Sequence, residues 1–161
     1  MTSALRFGRF LALLAGPALL TGCPEEDTAS LEASVKDPSL VLEASALVTD
    51  ASGGVTLTLH LGSYASNATE VSLGAFTLTR AGDELFGPVP LAASREFPVS
   101  VGVGKDVSVT LSLEPGTTAT TEEAEALCDG PLTFVGSVSD TLGGNKPIRV
   151  ESPAFDAQCE L

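Results

Sequence analysis

Residues 55–61 read Val-Thr-Leu-Thr-Leu-His-Leu, and residues 107–113 read Val-Ser-Val-Thr-Leu-Ser-Leu. In both stretches large aliphatic residues alternate with polar ones. Successive side chains of a strand point to opposite faces of a sheet, so this alternation is typical of antiparallel strands with one buried face. The two stretches therefore predict strands whose aliphatic residues share one core.

Shorter runs of the same kind extend the pattern over residues 39–161. A first strand is expected at 40–48, and a turn at 50–54 is expected to lead into residues 55–61. Further strands are expected at 71–78, 85–91, 97–101, 107–113, 132–138 and 148–150. About seven or eight short strands predict an all-β protein, an antiparallel β-sandwich of immunoglobulin-like architecture, with a small barrel as the alternative.

Three local features refine this prediction. The apolar parity switches at Gly74-Ala75, which predicts a β-bulge in the third strand. Pro88 and Pro90 cannot donate to a ladder, so their segment is expected at a sheet edge or in an extended loop. Thr120 and Glu123 have the spacing of a capping box, which predicts at most one short helix near residues 120–127.

Three features of the chain resemble a known family. They are the strand order, the proline-containing segment before a valine-rich hairpin, and the closing stretch Phe134-Val135-Gly136-Ser137-Val138. They are similar to the water-stress, late-embryogenesis-abundant β-sandwich domains, over residues 39–156. The resemblance implies an immunoglobulin-like fold. Those domains usually carry Asn-Pro soon after the second strand, where this chain has residues 62–67, Gly-Ser-Tyr-Ala-Ser-Asn.

Residues 1–22 have the features of a secretory signal peptide. Arg6 and Arg9 form a basic start, and an apolar run of 11 residues follows at positions 10–20. That run is shorter than the roughly 20 residues that span a bilayer. We therefore expect a signal helix that is removed from the mature protein.

The end of this segment, Leu20-Thr21-Gly22-Cys23, resembles the lipobox of bacterial lipoproteins. The resemblance implies cleavage between Gly22 and Cys23 and a diacylglyceryl group on the Cys23 thiol. The protein would then be anchored by lipid in the bacterial cell envelope, outside the cytoplasm, and in a Gram-negative cell at the outer membrane rather than the inner one. The alternative is an unlipidated signal peptide, with Cys23 as an ordinary thiol.

Residues 23–38 are acidic and rich in small residues, and they predict a flexible tether before a sandwich domain at 39–161. Arg6 and Arg9 precede the cut, so the mature chain keeps six basic and 21 acidic residues, a formal charge of −15. Nucleic acid requires a basic surface, so this charge excludes it as a partner.

Cys128 and Cys159 are the cysteines left after Cys23. An even pair in an exported chain predicts a disulfide, and two free thiols are the alternative. If residues 143–145 close the last hairpin, Val138 is expected opposite Val150, with the two cysteines near each other.

The chemical inventory of the chain is small. His60 is the only histidine, and it occupies the polar face of its strand, so we expect no metal site, no cofactor and no catalytic residue. An interaction or structural module with a partner protein or glycan in the envelope is the main hypothesis. A small-ligand or carbohydrate-binding module is the alternative, and it would place Tyr64, Phe86 or Phe97 on one concave surface. A hydrolase would need His60 beside a serine and a carboxylate.

Overall fold

The computed structural model describes residues 28–46 and 48–161. The expected signal helix and Cys23 lie outside the described residues. The elements are β1 (Leu31–Ala44), β2 (Thr49–Leu61), β3 (Thr69–Arg80), β4 (Asp83–Phe86), β5 (Leu91–Ala93), β6 (Val99–Val101), β7 (Lys105–Leu113), β8 (Thr118–Ala119), α1 (Thr121–Cys128), β9 (Thr133–Asp140), β10 (Pro147–Glu151) and β11 (Gln158–Glu160).

The strands form two sheets. Sheet A has the order β11-β1-β2-β7-β5, with β8 also paired to β2, and sheet B has the order β10-β9-β3-β4, with β6 also paired to β3. All pairs are antiparallel except β1 with β11. Strands β1, β2, β7 and β5 take the immunoglobulin positions A, B, E and D, and β3, β4, β9 and β10 take C, C′, F and G. The predicted immunoglobulin-like sandwich is confirmed.

The core lies between the two sheets and is built by alternation. In β2, the aliphatic residues from Val55 to Leu61 are buried, and the threonines between them are half-buried on the outer face. Sheet B contributes its two largest buried side chains, Phe76 and Phe134. Burying one face of each sheet in this way is the main favourable term of folding, at about 25 cal/mol per Å² of apolar surface.

The structure has eleven strands in the described residues rather than seven or eight. The short strands β8 and β11 were not expected, and the expected strand 85–91 is divided into β4 and β5. These two lie at the edges of opposite sheets, so the chain between them crosses from sheet B to sheet A. Pro88 and Pro90 occupy this crossing, as their missing N–H groups predict.

The first hairpin differs from the expectation. Strand β1 begins at Leu31, eight residues before the expected domain boundary at Ser39 and within the stretch assigned to the tether. A bulge between Lys36 and Ser39, with Asp37 at a φ of +50°, reverses the apolar parity of β1. The buried residues therefore have odd numbers before the bulge (Leu31 and Val35) and even numbers after it (Leu40 and Leu42).

The prediction of a turn at residues 50–54 is wrong, because these residues belong to strand β2. The chain turns earlier, where Ser45 N donates to Val48 O over 2.9 Å, and Val48 is exposed rather than buried. Gly53 and Gly54 lie inside the sheet, where an added Cβ would meet the carbonyl oxygens of Ser39 and Leu111 at 2.3 and 2.1 Å. These two glycines allow neighbouring strands to approach closely. Glycine is also common in turns, which is why the sequence predicted a turn here.

The bulge expected in β3 is confirmed. Leu73 pairs with Val138 and Phe76 with Gly136, so β3 has one more residue than β9 between these pairs. The buried ring of Phe76 lies over Gly136, and a Cβ at Gly136 would be 2.5 Å from that ring. A fully buried ring cannot move away without disturbing its neighbours.

We predict that Gly136→Ala lowers the free energy of unfolding by about 1–3 kcal/mol, because the methyl group overpacks the core against Phe76. Urea denaturation measures this change. Gly102→Ala is the matched control, since its Cβ would meet only the flexible Lys105 side chain at 3.4 Å. Equal midpoints for the two variants would contradict the prediction.

The one helix of the described residues, α1, begins at the expected capping box. The Thr120 hydroxyl accepts from Glu123 N at 3.2 Å, and Glu123 Oε2 accepts from Thr120 N at 2.8 Å. Hydrogen bonds from the backbone N–H and the hydroxyl of Thr120 lower the pKa of Glu123. At the other end of α1, the Arg80 guanidinium donates to the carbonyl oxygen of Ala126, which the helix end leaves without an intrahelical partner, and to that of Gly130 just beyond the helix.

We expect Thr120→Ala to lower the free energy of unfolding by about 1 kcal/mol near pH 7, because one orphan N–H of α1 loses its acceptor.

The pKa of Glu123 is lower in the folded than in the unfolded state. Its contribution is therefore present above the unfolded value of 4.5 and is lost as the pH falls through the lowered folded value.

Stability measured between pH 6 and pH 3 tests this sign. Glu123→Gln keeps an acceptor but does not titrate, so its stability should fall less with acidification than that of the unmodified protein. A steeper fall in the variant would contradict the assignment.

Candidate functional site

The described chain enters the sandwich at one end of sheet A. Leu31 begins β1 opposite Leu61, the last residue of β2. Before it, Ser30 O accepts from Gly62 N and Thr28 O accepts from Tyr64 N, both over 3.3 Å. The segment that leads from Cys23 therefore arrives beside the loop that follows β2.

The connections of three strand pairs lie at this same end. Their residues are 62–68 after β2, 102–104 before β7 and 141–146 between β9 and β10, and with Thr28–Ser30 we call them the entry end. Gly104 N donates to Leu61 O over 2.8 Å, and Leu142 N donates to Thr69 Oγ1 over 3.3 Å. These bonds tie the second and third loops to the ends of β2 and β3.

A buried carboxylate organises the loop 141–146. Asp140 Oδ1 accepts from Gly143 N at 2.7 Å and from Thr69 Oγ1 at 3.1 Å. The Asp140 carbonyl also accepts from Asn145 N at 2.8 Å. Because a buried carboxylate is stable only when it is hydrogen-bonded, Asp140 holds this loop in one conformation.

Apolar side chains project from the entry end. Five large apolar residues are exposed in the described part of the chain, and three of them are here: Tyr64 (74%), Leu142 (41%) and Val103 (38%). Each lies on a different loop. The loops contain no carboxylate, Lys146 ends the third loop, and Lys105 directly follows the second. This composition contrasts with the acidity of the whole chain.

The opposite end, called the far end here, contains residues 44–46 and 48–49, α1, β11 and Leu161. Seven exposed carboxylates lie in the far end or directly beside it, at Glu43, Asp50, Glu114, Glu122, Glu125, Asp129 and Glu160. At the entry end, exposed carboxylates lie on the adjoining strand residues Glu32, Glu70 and Asp106. Val48 and Leu161 are exposed beside a shallow cleft of about 340 Å³. The two ends of the sandwich therefore differ in charge.

The structure brings together the cysteines that the sequence pairs. Cys128 ends α1, Cys159 lies in β11, and their Cα atoms are 6.2 Å apart in a disulfide. The strand pairing that was expected to bring them together is different, because Ile148 and not Val150 pairs with Val138. Strand β11 instead joins sheet A beside β1, so the bridge links α1 to an edge strand.

The tail before Cys159 has its own contacts. The rings of Phe155 and Phe134 stack at 5.4 Å between centroids. Leu132 and Phe155 exchange two backbone hydrogen bonds of 2.7 and 3.0 Å. The disulfide is therefore needed mainly by the residues that follow Phe155.

His60 has a partner that the sequence analysis missed. Its Nδ1 lies 2.8 Å from Asp106 Oδ1, directly across the β2–β7 ladder. Both side chains lie on the outer face of sheet A, with exposures of 38% and 72%. A histidine–carboxylate pair this exposed interacts weakly, because water screens it.

The three aromatic residues proposed for ligand binding do not share an exposed surface. Phe86 and Phe97 are half-buried and pack against the core, whereas Tyr64 projects from a loop of the entry end. A sugar-binding platform needs exposed ring faces, so Tyr64 is the one member of this set that offers one.

Two features are absent from the described residues. No helix there is long and apolar enough to cross a membrane. No group of three or more His, Cys, Asp or Glu side chains converges within residues 28–46 and 48–161 as a metal ion would require. Comparison of the chain with protein-family models, curated proteins and solved structures finds no match.

We predict that Cys159→Ser lowers the free energy of unfolding by up to about 3–4 kcal/mol, the chain-entropy estimate for a bridge closing a 31-residue separation. Hydrogen exchange should show β11 losing protection first, while the Leu132–Phe155 bonds persist. Thiol labelling of the folded, unmodified protein is the companion measurement. Reactive thiols at Cys128 and Cys159 would contradict the bridge.

Proposed function

We propose that the protein is a lipid-anchored component of the bacterial cell envelope, with Cys23 as its lipidated N-terminus. Its sandwich serves as an interaction or structural module outside the cytoplasm and not as an enzyme. The observation that carries the proposal is the sequence Leu20-Thr21-Gly22-Cys23 directly after a short apolar run with a basic start.

The cysteine usage of the domain supports this location. After Cys23, the chain holds two cysteines, and both are in one bridge. Disulfides persist in the oxidising compartments outside the cytoplasm and are rare within it. A domain stapled in this way is suited to the periplasm or the cell surface.

The positions of the histidine and of the carboxylates near it and in the core support a non-enzymatic role. His60 and Asp106 lie on an exposed sheet face, where water screens charges and weakens the electrostatic effects that catalysis uses. Asp140, the buried carboxylate, is engaged by Thr69 and Gly143 in holding a loop. The chemistry of these residues fits structural roles.

Mass spectrometry of the mature N-terminal peptide tests the anchor. We expect a peptide that begins at Cys23 and carries the mass of a diacylglyceryl group, with or without a further acyl chain on its amino group. Two or three acyl chains hold a protein on a membrane essentially permanently, because each buried methylene contributes about 0.8 kcal/mol. An unmodified Cys23 would overturn the proposal.

Cell fractionation gives a second measurement. Cys23→Ser should leave the signal peptide uncleaved or release the domain from the membrane fraction. Cys159→Ser is the control, because it also replaces a cysteine, breaks the bridge at the far end and should leave the membrane attachment intact. Membrane retention of a correctly cleaved Cys23→Ser protein would count against the lipid.

A further inference from the structure

We propose that the entry end is a membrane-contact surface, on which Tyr64, Val103 and Leu142 enter the interfacial layer of the bilayer that holds Cys23. Lys105 and Lys146 meet lipid phosphate groups beside them. This inference rests on the proposed lipidation of Cys23. It adds a defined orientation of the sandwich, with one end against lipid and the other directed away.

The length of the connecting chain limits how far the entry end can lie from the bilayer. Four residues lie between Cys23 and Thr28, and the five steps from one Cα to the other reach at most about 18 Å in a fully extended chain. Thr28 is hydrogen-bonded to Tyr64, so the attachment point lies within the entry end itself. The far end lies about 40 Å away, the length of the 13-residue strand β2.

The loops that carry the apolar side chains of the entry end are held in place by backbone hydrogen bonds before any contact. The backbone N–H of Tyr64 donates to Thr28 O, and the backbone N–H of Leu142 donates to Thr69 Oγ1. Val103 occupies a tight turn, in which Lys105 N donates to Gly102 O over 3.1 Å. Ordered loops lose little conformational entropy on binding, and tyrosine is favoured at the membrane interface.

The charges at the two ends favour this orientation. Lys105 and Lys146 border loops that lack carboxylates, so the entry end can approach the phosphate groups of lipid. Glu25, Glu26 and Asp27 of the connecting chain oppose an anionic surface, as do Glu32, Glu70 and Asp106 on the strands behind the loops. Contact is therefore expected with phosphatidylethanolamine-rich bilayers, whose headgroups carry phosphate without net charge.

The single tyrosine of the chain makes this surface measurable, since the chain has no tryptophan. The lipidated protein would be purified from membranes and reconstituted in phosphatidylethanolamine-rich vesicles with and without lipids spin-labelled near the headgroup. We expect the spin label to reduce the Tyr64 emission at least about twofold, because an interfacial tyrosine lies beside the label.

Three variants complete the test, and two of them are controls at the far end. In a Tyr64→Phe background, Val48→Tyr places the reporter at the far end, where the spin label should leave the emission unchanged. Val103→Ser with Leu142→Ser should relieve the quenching of Tyr64, whereas Val48→Ser should not. All of these positions are exposed, so the substitutions should have little effect on folding.

The outcomes separate this inference from the function on which it rests. Mass spectrometry of the same preparation establishes whether Cys23 carries lipid, and its absence overturns the anchor together with the contact. Lipidated protein with unquenched Tyr64, or with equal quenching at both ends, overturns the contact and leaves the anchor standing.

Discussion

The sandwich depends on the burial of one face of β2. This strand has ladder partners on both edges, β1 and β7, and its aliphatic residues from Val55 to Leu61 lie at the centre of the core. A slip of one residue in either ladder would turn these side chains to solvent. Gly53 and Gly54 oppose such a slip, because their backbone lies too close to neighbouring strands for any Cβ. Alternation and close approach together determine the register of sheet A.

The features that the sequence predicts correctly are those that depend on residues close together in the chain. Strand alternation, the β3 bulge and the capping box at Thr120 depend on residues within a few positions of each other, and these predictions are confirmed. The Gly53-Gly54 pair misled because a turn and a close strand approach select the same residue. The bulge of β1 had the opposite effect, since it hid the strand from Leu31 to Val35 behind a change of parity.

Pairings between distant residues were harder to predict. Alternation repeats every two residues, so it accepts every even slip between two strands equally well. The β9–β10 hairpin was therefore predicted two residues from its actual register. The same ambiguity hid the Asp106 partner of His60, 46 positions away. The parallel strand β11 has no periodic signal at all, because all of its residues are exposed. Such contacts depend on loop geometry and sheet twist, which the local sequence does not encode.

The strand order has a consequence for any attachment at the N-terminus. In the immunoglobulin arrangement, the start of β1 lies at the same end as the loops that follow β2, precede β7 and follow β9. The proposed lipid on Cys23 would be connected to the end that carries Tyr64, Val103 and Leu142, whereas the acidic far end lies a full strand length away. An anchor attached after β11 would have the reverse effect, because β11 lies at the far end beside Val41–Glu43. The division of charge and apolar surface between the two ends therefore matches an attachment that precedes the first strand.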